Sequence, residues 1–134
     1  VYIGSDPESG EILNIPVNID DGIVMQGKKL FPIAVKTMAT AIHKCCQLAQ
    51  LDVSEINLAV PHQANQRILS AVESRLKLPK GIMFSNIANY GNTSSCTIPI
   101  ALNEALSEDK KQINIALCAF GAGFTTGAAL LKLL

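Results

Sequence analysis

The chain ends on the run INIALCAF, the bend GAG, and the run FTTGAALLKLL. Two apolar runs joined by so short a link have to lie side by side and antiparallel. That hairpin constrains everything before it, because the preceding residues alternate helical stripes with short apolar segments. Pro32 fits the first turn of a helix. Apolar residues then fall at Val35, Met38, Ile42, Cys45 and Ala49, in steps of three and four, which marks one buried helix face. Residues 56–60, INLAV, read as a strand buried on both faces. After Pro61, Ala64, Ile68, Val72 and Leu76 mark a second helix. Residues 82–84 read as a short strand, NIANYGNTSS as a loop, and a third helix runs through Leu106. Nearer the start, GSDPESG is turn chemistry and residues 12–21 are extended and irregular. Helices alternating with buried strands and closed by a hairpin make a layered α/β domain with a mixed sheet.

A chain of 134 residues, 49% apolar and 16% charged, is one domain with a real core and not a disordered segment. Eleven basic and eleven acidic residues cancel, which argues against nucleic acid as a partner. No apolar run reaches the length that spans a membrane, and no leader pattern opens the chain. The cysteines at 45, 46, 96 and 118 lack metal-ligand spacing, so no metal is expected. They read as free, buried thiols in a reducing cytoplasm. Val1-Tyr2-Ile3 reads as the end of a strand without an initiator methionine, as in a piece of a longer protein.

Three polar loops carry the candidate chemistry: PHQAN after the strand at 56–60, NYGNTSS before the third helix, and FGAGF at the final bend. In open α/β sheets, loops at one end of the strands build the site. His62 can donate or accept, Asn92 offers an amide donor, and Gly121 and Gly123 free the backbone to aim N–H groups at an anion. Each also has a plain structural reading. A histidine at a strand end is commonly a hydrogen-bonded anchor, Thr93 or Ser94 can cap a helix, and GAG can be a tight hairpin. His43 reads as structural, and Lys44 and Arg67 as surface charges. Taken as a set, His62, Asn92 and the glycine bend suit an acyl or thioester carbonyl whose oxygen gains charge.

The blocks MQGKKLFPIAVKTM, VPHQANQRI, NYGNTSSCTIPIAL and FGAGFTTGAALL resemble the C-terminal half of β-ketoacyl-acyl carrier protein synthase III, a thiolase-fold condensing enzyme. They stand in that family's order and cover nearly all of the chain after residue 25. The resemblance implies that residues 1–134 are the C-terminal domain, one of two similar halves. It implies decarboxylative condensation of an acyl group from acyl-CoA with malonyl-carrier protein, initiating fatty-acid or related polyketide synthesis and using no cofactor beyond these substrates. His62 and Asn92 match the catalytic pair, and Ala122 matches an oxyanion-hole residue. Gly27, Phe31 and Asn65 match contacts to the pantetheine arm, Arg67 a basic residue near its entrance, and Phe120 an aromatic beside the acyl pocket.

The partners implied are acyl-CoA, acyl carrier protein, the N-terminal half of the same enzyme and a second copy in a homodimer. The nucleophilic cysteine belongs to the N-terminal half, and none of the four cysteines here matches it. Either the stripe at Val35, Met38, Ile42 and Cys45 or its counterpart at Ile98 and Leu102 is expected to face that half. Two other readings remain: an acyltransferase of this type that serves another acceptor without decarboxylation, and a non-catalytic partner half.

Overall fold

In a computed structural model, which describes residues 1–16, 18, 20, 22–106 and 113–133, the closing hairpin organises the sheet. Strands β5 (Asn114–Gly121) and β6 (Thr125–Lys132) pair antiparallel from Asn114↔Lys132 to Gly121↔Thr125. Strand β1 (Tyr2–Ser5) adds antiparallel to β6, and β4 (Leu58–Pro61) adds parallel to β5. The order β1-β6-β5-β4 is a mixed sheet, as the sequence implies. The parallel pairing of β4 with β5 requires a crossover, and the chain between them supplies helices for it. A separate two-stranded ribbon joins β2 (Leu13–Asn14) to β3 (Val24–Met25).

Helix α1 spans Gly27–Leu48 and α2 spans Gln66–Leu76. Helix α1 starts five residues earlier than the proline signal suggests, so Pro32 lies inside it. Pro32 is exposed, where water can hydrate the carbonyl that a proline nitrogen cannot serve. The stripe at Val35, Met38, Ile42 and Cys45 is buried, while Ala49 lies exposed just beyond the helix. The stripe does not face outward to another domain. It packs within this chain against α2, β5 and β6, and the Cys45 thiol donates to the Ala128 carbonyl at 3.7 Å.

Helix α2 ends where Lys77 turns left-handed at φ 55°. Ala64 is half-buried and precedes the helix, whereas Ile68, Val72 and Leu76 are core. Alternation along the strands divides the core in two. Ala59, Ala116, Cys118, Phe120 and Ala128 face α1 and α2. Leu58, Val60 and Ile115 face helix α4 (Thr97–Ala105), which lays Ala101 and Ala105 on them and ends one residue before Leu106. Ile98 and Leu102 are half-buried. Helix α4 leaves the β6–β1 part of its face open, where Ile3 is 80% exposed beside Gly127.

Three further expectations change. Residues 82–84 form one bridge, Ala59↔Met83, and not a strand. The loop NIANYGNTSS contains a short helix, α3 (Ile87–Tyr90), and a 3-10 turn at Ser94–Cys96. The opening turn region splits between β1 and a 3-10 turn at Pro7–Ile12. Of the irregular segment at 12–21, residues 17, 19 and 21 lie outside the described residues.

Candidate active site

Each residue of PHQAN has a separate local task. Pro61 ends the edge strand β4, where a missing N–H is tolerated. His62 extends the ladder by one step, its N–H donating to the Cys118 carbonyl at 2.7 Å. Gln63, 1% exposed, is fully engaged. Its amide donates to the Pro61 carbonyl at 2.9 Å and the Phe84 carbonyl at 3.3 Å, and its oxygen accepts from Asn86 N–H at 3.2 Å. That clamps the histidine turn to the loop before α3, as a buried amide must be clamped. Asn65 caps α2 by accepting from Arg67 N–H at 2.9 Å.

The imidazole of His62 is half-buried, with Nδ1 2.6 Å from the Thr97 hydroxyl and Phe120 edge-on at 6.0 Å between ring centroids. Burial pushes its pKa below the usual 6.5, because the cation is poorly solvated there. Phe120 in turn stacks on the fully buried Phe124 at 6.2 Å.

Asn92 reaches the same place by a different route. Gly91 has φ 67° and ψ −158°, backbone that only glycine enters freely. The exposed Asn92 side chain then folds back, its Oδ1 accepting from Ser94 N–H at 2.9 Å. Its amide NH2 makes no hydrogen bond among the described residues. Thr93 and Ser94 therefore do not cap a helix with their side chains as expected. The Asn92 side chain makes the turn, and no side chain caps α4.

One cavity of about 1340 Å³ is lined by His62, Asn92, Phe120, Gly27, Phe31, Asn65 and Arg67. Seven of the eight residues singled out in the sequence thus share one space. Gly27 and Phe31 come from the start of α1, and Asn65 and Arg67 from the start of α2. Arg67 is exposed, as its reading as a surface charge implies, with its guanidinium over the Phe31 ring at 5.6 Å. Lys44 is exposed as well, over the Tyr2 ring at 5.6 Å. Ala122 does not line the cavity, although Gly121 before it does. The bend is a tight three-residue hairpin, a 3-10 turn at Ala122–Phe124 between the paired Gly121 and Thr125, with Gly123 at φ 70°. His43 is exposed on α1 and lies outside the cavity.

Among the cysteines, Cys45, Cys46 and Cys118 are buried, but Cys96 is exposed because it sits on the 3-10 turn before α4. Burial pushes the Cys118 thiol up to about 12 and, with the neighbouring Cys45, raises Cys46. Neither carries the low-pKa signature of a nucleophile. Sequence reading missed Thr97, which is 2% exposed and holds His62, and the buried clamp Gln63. Thr97 lies 35 residues from His62, so no local pattern signals their contact.

A mixed sheet with helices on both faces, and polar groups gathered where β4 and β5 end, defines a thiolase-like α/β domain. Residues 46–133 match the family described as "3-Oxoacyl-[acyl-carrier-protein (ACP)] synthase III C terminal". Beta-ketoacyl-[acyl-carrier-protein] synthase III of Porphyra umbilicalis is 39% identical over 130 residues, covering 96% of this chain and 40% of its own. The crystal structure of 3-oxoacyl-[acyl-carrier-protein] synthase III from Aquifex aeolicus superimposes with a TM-score of 0.90 at 38% identity, over 98% of this chain and 42% of that one. The corresponding Pseudomonas aeruginosa structure gives 0.89 at 34% identity, over 98% and 44%. This chain belongs to the β-ketoacyl-[acyl-carrier-protein] synthase III family and matches the C-terminal half. It spans about two fifths of the length of the curated relatives it matches.

Proposed function

We propose that residues 1–134 are the C-terminal catalytic domain of a β-ketoacyl-carrier protein synthase III that condenses an acyl group from acyl-CoA with malonyl-carrier protein. The observation that carries this reading is the joint placement of His62 and Asn92. They are 30 residues apart in sequence, line one cavity, and are joined through Ser94 and Thr97 by hydrogen bonds of 2.6–2.9 Å.

In this scheme a cysteine thiolate of the N-terminal domain takes the acyl group and releases the CoA thiol. The malonyl arm enters past Gly27, Phe31 and Asn65, with Arg67 at the mouth and Phe120 beside the acyl group. The bond to the malonyl carboxylate breaks, CO2 leaves, and the electron pair moves onto the thioester oxygen as an enolate. Asn92 Nδ2–H and His62, in its Nε2–H form, donate to that oxygen. Donors held in a half-buried cavity act more strongly on the developing charge than they would in water. The enolate carbon attacks the acyl-cysteine carbonyl. Its oxyanion takes N–H bonds from Ala122 and the cysteine, and the thiolate departs as the new carbon–carbon bond holds. The scheme uses the two thioester substrates and no separate cofactor. Cytoplasm and a homodimer are the compartment and assembly proposed with it, and buried thiols such as Cys45 and Cys118 stay free in a reducing compartment.

Separate half-reactions test the scheme in the full-length protein. His62→Ala and Asn92→Ala are expected to leave acyl-cysteine formation near wild type and slow condensation about a hundredfold, since one lost oxyanion donor raises a barrier by roughly 3 kcal/mol. Condensation at the wild-type rate in either variant refutes the assigned roles.

A further inference from the structure

We propose that Thr97 is a positioning residue that sets the tautomer of His62, holding the resting imidazole proton on Nδ1. A hydroxyl has one hydrogen and two lone pairs. The Thr97 hydroxyl lies 2.9 Å from the Ser94 carbonyl, which can only accept, so its hydrogen is spent there. Its 2.6 Å contact with His62 Nδ1 must then be one in which the ring donates. Nδ1 carries the proton, and in the neutral ring Nε2 carries a lone pair. Burial favours that neutral ring. Among the described residues Nε2 has no hydrogen-bond partner.

The resting site is therefore asymmetric. Ser94 holds both side chains: its N–H fixes Asn92 Oδ1, and its carbonyl fixes the hydroxyl that fixes His62. Ser94 does so at φ 56°, in the left-handed region that non-glycine residues enter at a cost and that recurs at functional sites. Because its oxygen is engaged, Asn92 presents a permanent donor. His62 presents a base at rest and becomes a donor only when its proton resides on Nε2. Thr97 allows that change by turning its hydrogen from the Ser94 carbonyl to Nδ1, so the 2.6 Å contact persists with donor and acceptor exchanged. Solvent removes one proton from Nδ1 and delivers one to Nε2, with no net gain or loss. The tautomer assignment stands on this geometry alone, whereas its consequence for condensation rests on the function proposed above.

The test is two-bond proton–nitrogen correlation NMR on full-length protein labelled with 15N-histidine, above the ionisation of His62, with the signal assigned by its loss in His62→Gln. The expected wild-type pattern is a pyrrole-type shift at Nδ1 and a pyridine-type shift at Nε2. Thr97→Ser keeps that pattern. Thr97→Val moves it toward the Nε2–H form that free imidazole prefers. A wild-type Nε2–H pattern overturns the proposal without any variant, and an unchanged pattern in folded Thr97→Val overturns the role of Thr97. An Nδ1–H pattern in a protein that does not consume malonyl-carrier protein removes the proposed function and leaves the tautomer. Condensation with an Nε2–H resting ring does the reverse.

Discussion

Replacing Gly91 with alanine separates the placement of Asn92 from its chemistry. A Cβ built at Gly91 meets nothing within 4 Å, so no steric clash enters the estimate. What remains is the backbone at φ 67°, ψ −158°, which costs an L-residue about 1–3 kcal/mol. Residues 88–92 are exposed, so the loop can shed part of that cost by relaxing, and relaxation displaces Asn92. The two outcomes are complementary. If the backbone holds, the urea midpoint falls by the equivalent of about 1–3 kcal/mol. If it relaxes, stability is largely kept, but condensation drops roughly a hundredfold because a displacement of about 1 Å defeats near-attack geometry. Gly10→Ala is the control, since its Cβ would make only an ordinary 3.9 Å contact and its φ lies outside the left-handed range. It should stay within about 0.5 kcal/mol of wild type. Wild-type stability together with wild-type condensation in Gly91→Ala refutes the view that this glycine places Asn92.

Three further outcomes follow from burial. The lowered pKa of His62 means that the folded state binds its proton less readily than the unfolded state, so stability is full above the usual 6.5. Stability should decline as pH falls below 6.5 and stop declining through this group once the lower folded pKa is passed, a segment that His62→Gln removes from a urea-midpoint titration. Alkylation of the native protein near neutral pH, mapped by peptide mass, should label Cys96 and spare Cys118, whose pKa of about 12 leaves almost no thiolate. Ile42, 1% exposed at the centre of the α1 stripe, should cost about 2–5 kcal/mol when cut to alanine, read by urea denaturation, with the rate per folded molecule retained.

How much was legible in the sequence depends on whether a signal is local. Helices α1 and α2 announced themselves because their apolar residues recur at helical spacing, and β5–β6 because three residues cannot join strands in any other sense. Periodicity says that a face is buried but not by what. The Val35–Cys45 stripe was therefore one of two faces offered to an outside partner, the other being Ile98 and Leu102, and the structure buries it against α2 and the sheet. Pro32 misled because its cost falls away on a solvent-facing turn. Seven of the candidate residues were readable through their motifs, and all seven line one cavity. Ala122 does not line it, although Gly121 before it does. The Thr97–Ser94 link was invisible because it joins residues far apart through a backbone carbonyl, and no side-chain pattern encodes that.

Carbon dioxide release decides most directly whether this domain serves a decarboxylating condensation. Full-length protein supplied with acyl-CoA and malonyl-carrier protein labelled in the free carboxylate should release one labelled CO2 for each ketoacyl product. Acyl transfer to an acceptor with the malonyl carboxylate retained would contradict the account.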